Sequence, residues 1–320
     1  MTPAMHPALD LSIVIVNWNT RDMLRDCLAS VFAGAGGLCL EVFVVDNGST
    51  DGSRAMLATE YPQVDVIANP DNRGFAAANN QALLLARGRH VMLLNTDTLV
   101  HDTVLPDSVA FLDANPRIGV MGPRILNRDG SVQASSTRYP SLLRLVGQTL
   151  GLNHIPALDG YRMSGWDRRG LRHVEVISGC AMLVRRAAMD QVGLLDAGFF
   201  FYGEETDWCR RFAAKGWEVV FAPVGEITHF GGGSVRNLNH RRDVMLTEGT
   251  VRLHRKHGGL MAGVACYVLL AVFNASRAVL WATVSLTRRP AAVARARHFI
   301  AVCADFARAW PRLPLQGGQS

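Results

Sequence analysis

"LSIVIVNWN", residues 11 to 19, is an unbroken run of apolar and β-branched residues that ends on Asn17, Trp18 and Asn19. A strand apolar on both faces belongs inside a parallel sheet covered on each side by helices; one with a wet face would alternate. The residues on either side fit that reading. Met23, Leu24, Cys27, Leu28, Val31 and Phe32 recur at helical spacing until Gly34, Gly36 and Gly37 stop the helix. A second strand, "LEVFVVD" (40 to 46), ends on Asp46 and the turn "NGSTDGS"; a third is expected at 64 to 67, a helix at 75 to 87 and a fourth strand at 90 to 94. Strands alternating with helices predict an α/β fold with a doubly wound, mostly parallel sheet.

In such sheets ligands bind beyond the carboxyl ends of the strands. That rule selects Asn17, Trp18 and Asn19 after the first strand, Asp46 after the second, Asn69, Asn72 and Arg73 after the third, and Asp97 in "LLNTDT" after the fourth. Each has a plainer reading beside the functional one. Asp97, with Asn95 and two threonines, is a hard oxygen ligand set suited to Mg²⁺ or Mn²⁺ holding a diphosphate, or it caps a strand-end turn. Asp46 accepts hydrogen bonds from a ribose or base edge, or closes a local Asx-turn. Trp18 offers its indole face to a nucleobase, or packs on the next helix. Arg73 reaches a phosphate, or is simply solvated. No glycine-rich pyrophosphate cradle of either common type is present, so a bound diphosphate needs a metal and side chains.

Further along, "HVEVISGCAMLVRR" (173 to 186) reads as one more strand, behind a weakly periodic excursion from 127 to 172. "FFFYGEETDWCRR" (199 to 211) leads three aromatic residues into Glu204, Glu205 and Asp207 at an expected helix start. The helix dipole alone favours acids there. Adjacent carboxylates beside aromatic rings are also how a general base with a raised pKa is made. "ITHFGGGS" (227 to 234) places His229 at a strand end before glycines fit for a mobile flap.

A chain of 320 residues holds one large or two modest domains without staples, and its six scattered cysteines form no C-x-x-C pair. The first ten residues read as a leader without signal-peptide character, so the catalytic part is expected in the cytoplasm. The net charge of +6 is concentrated around 236–257 and 288–308, flanking the apolar block 260–286. With no nucleic-acid motif present, an anionic membrane surface accounts for the basic stretches better than nucleic acid does. Asn274, Ser276 and Arg277 interrupt the apolar block, which favours helices lying in or dipping into the cytoplasmic leaflet, with 291–310 as a second amphipathic helix, over a transmembrane hairpin or a buried dimerisation helix.

Taken in order, "IVIVNWN", "VVDNGSTDGS", "NRGFAAANNQAL", "LLNTDT", "SGCAMLVRR", "FFFYGEETDWCRR" and "THFGGGS" resemble the family 2 glycosyltransferases of GT-A fold, especially rhamnosyltransferase-like members that build bacterial surface polysaccharides. The resemblance covers about residues 10 to 235. It implies a GT-A, Rossmann-like catalytic domain over 11–235, with a nucleotide-binding half to about 126 and an acceptor half beyond it. A basic and apolar helical region would follow at 236–320. It further implies inverting transfer of a sugar from a nucleotide-diphosphate donor; the membrane association expected of the C-terminal block suits a glycan or lipid-linked oligosaccharide acceptor at the cytoplasmic face of the inner membrane. Trp18 would face the base, Asp46 would hold uracil or thymine and ribose, and Arg73 would lie against the nucleotide. Asp97 matches the last Asp of the family's D-x-D metal motif, His229 its later metal-side histidine, and Glu205 its catalytic base. The chain departs from the family in having Asn95 at the first D-x-D position and Glu204-Glu205 where an E-D pair stands, which leaves Glu204 and Asp207 open beside Glu205 as the base. Two rival classes remain at this stage: a nucleotidyltransferase, and a non-catalytic nucleotide-binding scaffold at the membrane.

Overall fold

A computed structural model describes residues 9–152, 163, 165–231 and 239–311. The leader, the centre of the excursion and the flap beyond Gly231 lie outside the described residues.

The elements in chain order are β1 (Leu11–Asn17), α1 (Arg21–Ala33), β2 (Leu40–Asn47), α2 (Ser53–Glu60), β3 (Asp65–Asn69), α3 (Phe75–Leu83), β4 (His90–Asn95), β5 (Thr98–Val100), α4 (Val104–Ala114) and β6 (Ile118–Leu126). There follow β7 (Ser136–Thr137), α5 (Leu142–Thr149), β8 (Arg172–His173), β9 (Val176–Ile177), β10 (Ala181–Arg185), α6 (Arg186–Val192), α7 (Glu204–Ala214), β11 (Glu218–His229), α8 (His240–Ser285) and α9 (Pro290–Asp305). Nine strands form one sheet in the order β3-β2-β1-β4-β10-β6-β11-β5, with β8 on β11. β3, β2, β1, β4, β6 and β11 point the same way, and β10 runs against β4 and β6 between them. The sheet is therefore mostly parallel with one reversed inner strand.

The reason for β1's composition is now visible. Leu11, Ile13 and Ile15 join the core under α1 and α4, while Val14 joins Phe43, Leu93 and Trp208 on the opposite face. β3 has exposed Asp65, Val66 and Ala68 because it is the sheet's edge.

By contacts the described chain forms two units, 1–137 with 165–200 and 205–230, and 138–164 with 201–204 and 231–320. In the second unit α8 breaks at Gly259, whose φ of 77° and ψ of −177° are not helical, into a part before it and a longer apolar part after it. The α5 helix, unread in the sequence, packs Leu145 on Val251 and Cys266 of α8.

Candidate functional site

The two ends of the sheet differ in how their polar groups are satisfied. At the amino ends of the strands, buried Glu41 takes hydrogen bonds from the Ser12 hydroxyl at 2.7 Å and from the Arg87 backbone and guanidinium. Burial opposes ionisation there, yet the Ser12 and Arg87 bonds hold the Glu41 carboxyl below its usual range. His90 in turn lies 2.8 Å from Asp113. Polar groups satisfied by one another in this way are structural.

The carboxyl ends are different. Asn17 donates to Asp46 Oδ1 at 3.0 Å and to Ser49 Oγ at 3.0 Å, and Thr50 N donates to Asn19 Oδ1 at 2.8 Å. The loops after β1 and β2 are thereby sewn together, leaving Trp18 56% exposed on their surface. Asp46 is fully buried, with Ser49 N at 3.2 Å and Arg54 Nε at 2.8 Å on its Oδ2. A carboxylate offers about four lone-pair sites, so three donors leave about one. Arg54 is a residue the sequence reading missed.

Asn47, likewise unread, organises the loop after β3. It donates to Asn72 Oδ1 at 3.0 Å and accepts from Asn69 Nδ2 at 3.1 Å and from Arg73 N at 3.2 Å. Gly74 at φ 82° then passes so close to the next loop that a Cβ would stand 2.4 Å from the Phe200 carbonyl oxygen. Only glycine permits that approach. It brings Arg73, whose side chain is exposed and forms no ion pair among the described residues, beside the aromatic segment that precedes the acidic helix.

β4 stops at Asn95, the chain turns at Thr96 and Asp97, and "TLV" becomes β5, antiparallel to the end of β11 with His229 opposite Thr98. That pairing carries His229 Nε2 to 3.2 Å from Asp97 Oδ1 and 3.4 Å from Asn95 Nδ2. On the ring's other side Nδ1 lies 2.7 Å from Gln133 Oε1. An amide oxygen only accepts, so Nδ1 donates to Gln133 and Nε2 is the nitrogen turned toward Asp97. Two acceptors this close are stable when a proton or a cation lies between them. Among the described residues no group of three or more His, Cys, Asp or Glu could hold a metal. Imidazole nitrogen, carboxylate and the Asn95 amide nonetheless suit Mn²⁺ or Mg²⁺ whose remaining positions are filled by phosphate oxygens or water.

α7 begins at Glu204 and is anchored by Trp208, Cys209 and Phe212, all fully buried, with Trp208 Nε1 donating to Gly193 O at 2.8 Å. Each such aromatic contributes about 1.5–3 kcal/mol by leaving water. Asp207 is engaged by Arg211 at 2.8 Å, whose guanidinium also donates to the Val192 and Leu194 carbonyls. Glu204 is buried at the helix start. Glu205 Oε2 is sealed from solvent with no hydrogen-bond partner among the described residues. Burial raises the Glu205 pKa, partly offset by its own and the Gly179 backbone N–H groups. Asp97 and Glu205 both act on the Cys180 thiol, which burial chiefly pushes up to about 12, so the two carboxylates share one neighbourhood.

The structure thus brings Asp97, Asn95 and His229 together, stitches Asn17, Asn19 and Asp46 into one loop cluster, and sets Asn72 and Arg73 beside Phe200. Comparisons with known proteins bear on this arrangement. Residues 12–193 match the profile of Glycosyl transferase family 2. An N-acetylglucosaminyl-diphospho-decaprenol L-rhamnosyltransferase of Mycobacterium tuberculosis is 32% identical over 237 residues, which cover 68% of this chain and 75% of that one. Among solved structures, the mannosyltransferase PcManGT of Pyrobaculum calidifontis, in complex with GDP-Man and Mn²⁺, has a TM-score of 0.56 at 17% identity, covering 93% of this chain and 86% of that chain. GalNAc-T7 with UDP, GalNAc and Mn²⁺ also gives 0.56 at 17% identity, covering 78% of this chain, which spans only 48% of the GalNAc-T7 chain. With more than half its length matching the family profile, the chain belongs to glycosyl transferase family 2 and is a glycosyltransferase on the α/β scaffold its sequence implies.

Proposed function

We propose that this chain transfers a sugar, with inversion, from a nucleotide-diphosphate donor to a hydroxyl of a glycan or lipid-linked acceptor. The observation that carries the proposal is the pairing of two unlike groups at the sheet's carboxyl edge: the Asp97–His229 pair, suited to a diphosphate and its cation, and the buried, partnerless oxygen of Glu205. Sugar transfer requires both, one for the leaving group and one for the acceptor proton.

In this reading the exposed indole of Trp18 stacks on the nucleobase and Asp46 uses its remaining lone pair on the base or ribose. Asn17, Asn19 and Asn72 keep their loops in place, and Arg73 meets the nucleotide's charge. Asp97 and His229, with Asn95 beside them, would hold the divalent cation and the diphosphate, and the cation would supply charge neutralisation at the leaving group. The acceptor oxygen forms its bond to the anomeric carbon as the bond to the diphosphate breaks, and its proton passes to Glu205. Glu204 is the neighbouring carboxylate. Asp207, tied to Arg211, fixes the helix instead.

The acceptor class follows the relative whose name specifies a decaprenol-linked sugar. A lipid-linked acceptor supports a location at a membrane, for which we propose the cytoplasmic face of the inner membrane, and α8 is long and apolar enough, by length and composition, to cross one. Incubating the full chain with UDP-, dTDP- and GDP-sugars, Mn²⁺ and a polyprenyl-diphosphate-linked sugar should release nucleoside diphosphate and lengthen the acceptor. Failure with every donor would reject the proposal.

Gln133 offers a narrower check. It positions His229 through Nδ1, and loss of such an outer partner typically lowers metal affinity about 10–100-fold. Titration of free Mn²⁺ by electron paramagnetic resonance should show that loss for Gln133→Leu and its recovery in Gln133→Glu, which keeps the acceptor oxygen. Unchanged affinity in Gln133→Leu would detach Gln133 from the site.

A further inference from the structure

The second unit carries a surface that the transfer reaction does not use. Along α8 beyond Gly259, Met261, Val264, Val268, Val272, Val279 and Leu286 are all exposed, from 39% to 80%. They recur at three-, four- and seven-residue spacing and so form one stripe. The opposite face is occupied: Cys266 and Leu270 pack on Leu145, and Tyr267 on Phe306.

Charge accompanies the stripe. Between Glu248 and Asp305 the chain has eight Lys and Arg and no acidic residue at all. Arg288, Arg289, Arg295 and Arg297, in the turn after α8 and in α9, are exposed. Apolar side chains beside unopposed cations match the two layers of an anionic bilayer surface, acyl chains and phosphate headgroups.

We propose that α8 and α9 lie flat in the interface of an anionic bilayer, with the α8 stripe entering the acyl boundary and the arginines meeting lipid phosphates. The proposal rests on the membrane location given above and takes up the expectation that these helices lie in the leaflet. Length alone would let α8 cross. The packing opposes it, because α9 runs back along the same helix, with Phe299 6.5 Å from Phe273 and the Arg295 guanidinium 4.4 Å over Trp281. Crossing would carry Arg295 and Arg297 into hydrocarbon, which is costly for a guanidinium. With 16 residues α9 reaches only about 24 Å, short of the roughly 30 Å core. In the part of α8 beyond Gly259, Arg277 also donates to the Gln148 and Thr149 carbonyls at 3.4 and 3.3 Å, fixing the helix to the end of α5.

Cosedimentation of the full chain with vesicles tests this. Binding to phosphatidylcholine containing phosphatidylglycerol should exceed binding to phosphatidylcholine alone and weaken as salt rises. Each exposed arginine removed should cost about fivefold, so the double substitution Arg288→Gln with Arg289→Gln should cost about 25-fold. Val268→Glu should weaken binding to both vesicle types. Circular dichroism melts of these variants show whether they fold, and the wild-type salt titration needs no variant. Alkaline carbonate should release the chain from membranes. Retention after carbonate, equal binding to neutral vesicles, or no binding would each overturn the proposal. Donor turnover measured on the same preparation separates the two ideas: turnover without vesicle binding rejects the surface alone, and vesicle binding without turnover of any donor rejects the transferase reading alone.

Discussion

Glu205→Gln should reduce transfer by about 10²–10⁴-fold, the range a positioned general base contributes, while raising the thermal stability of the protein at neutral pH. The two effects share one cause. Glutamine keeps the shape but cannot take a proton, and it cannot carry a buried negative charge either. In the unfolded chain the Glu205 carboxyl ionises near the ordinary value of about 4.3. In the fold, burial keeps it protonated to higher pH. The unfolded state therefore sheds its proton first, and stability contributed at this position declines as pH rises from the unfolded pKa through the folded one. The stability gain of Glu205→Gln should be full above that window and vanish below about pH 4. The acid limb of the wild-type kcat/KM profile should lie above the usual glutamate range for the same reason. Calorimetric melts across pH, set beside turnover of the variant, check both; a variant with undiminished turnover, or with lower stability at neutral pH, would remove Glu205 from the role of base.

Asp97→Ala should lower kcat/KM by about 10²–10³-fold, the usual cost of removing one preorganised group that offsets charge in the transition state. Its carboxylate faces His229 Nε2 at 3.2 Å, so the substitution leaves the imidazole with Asn95 alone on that side. Free-Mn²⁺ titration should show weakened binding, and chelation should silence the wild type while changing the variant little. The fold should survive, because Asp97's backbone carbonyl, which accepts from Phe230 N at 2.9 Å, is untouched. Full wild-type turnover under strong chelation would mean that the leaving group is managed by His229 and Arg73 without a divalent ion.

Much of this was readable before any coordinates. β1 to β4 each lie within two residues of their sequence assignments, because buried strands such as β1, β2 and β4 leave a long apolar signature ending in polar residues, whereas β6 was not read at all. The reversed strand was not readable: "HVEVISGCAMLVRR" looks continuous, yet the chain bends at Ser178–Cys180 between β9 and β10. Gly179 fits there beside the Phe75 ring, 3.2 Å from where a Cβ would stand, and the Cys180 carbonyl accepts from Asn95 N. Strand direction depends on partners distant in sequence, which local periodicity does not encode. "TLV" was too short to read as β5, although that strand brings His229 to Asp97. Gln133 escaped notice because its partner is 96 positions away. Arg54 and Asn47 were hidden in a turn whose glycines and small polar residues already explained it.

Gly249, in the part of α8 before the break, lies against the segment ahead of Glu205: a Cβ there would meet the Tyr202 carbonyl oxygen at 2.2 Å. Tyr202 itself holds a φ of 71°, a left-handed shape that a non-glycine residue keeps only under restraint, and Gly203 follows with 100°, which glycine adopts freely. The helix supplies part of that restraint by contact. The motions of residues 201–203 and of this stretch of α8 are consequently not independent; the segment leading into α7 relaxes when this part of α8 withdraws or frays. Local opening there carries the free energy of loosening α8, so the segment inherits the slower timescale of a packed helix rather than that of a surface loop.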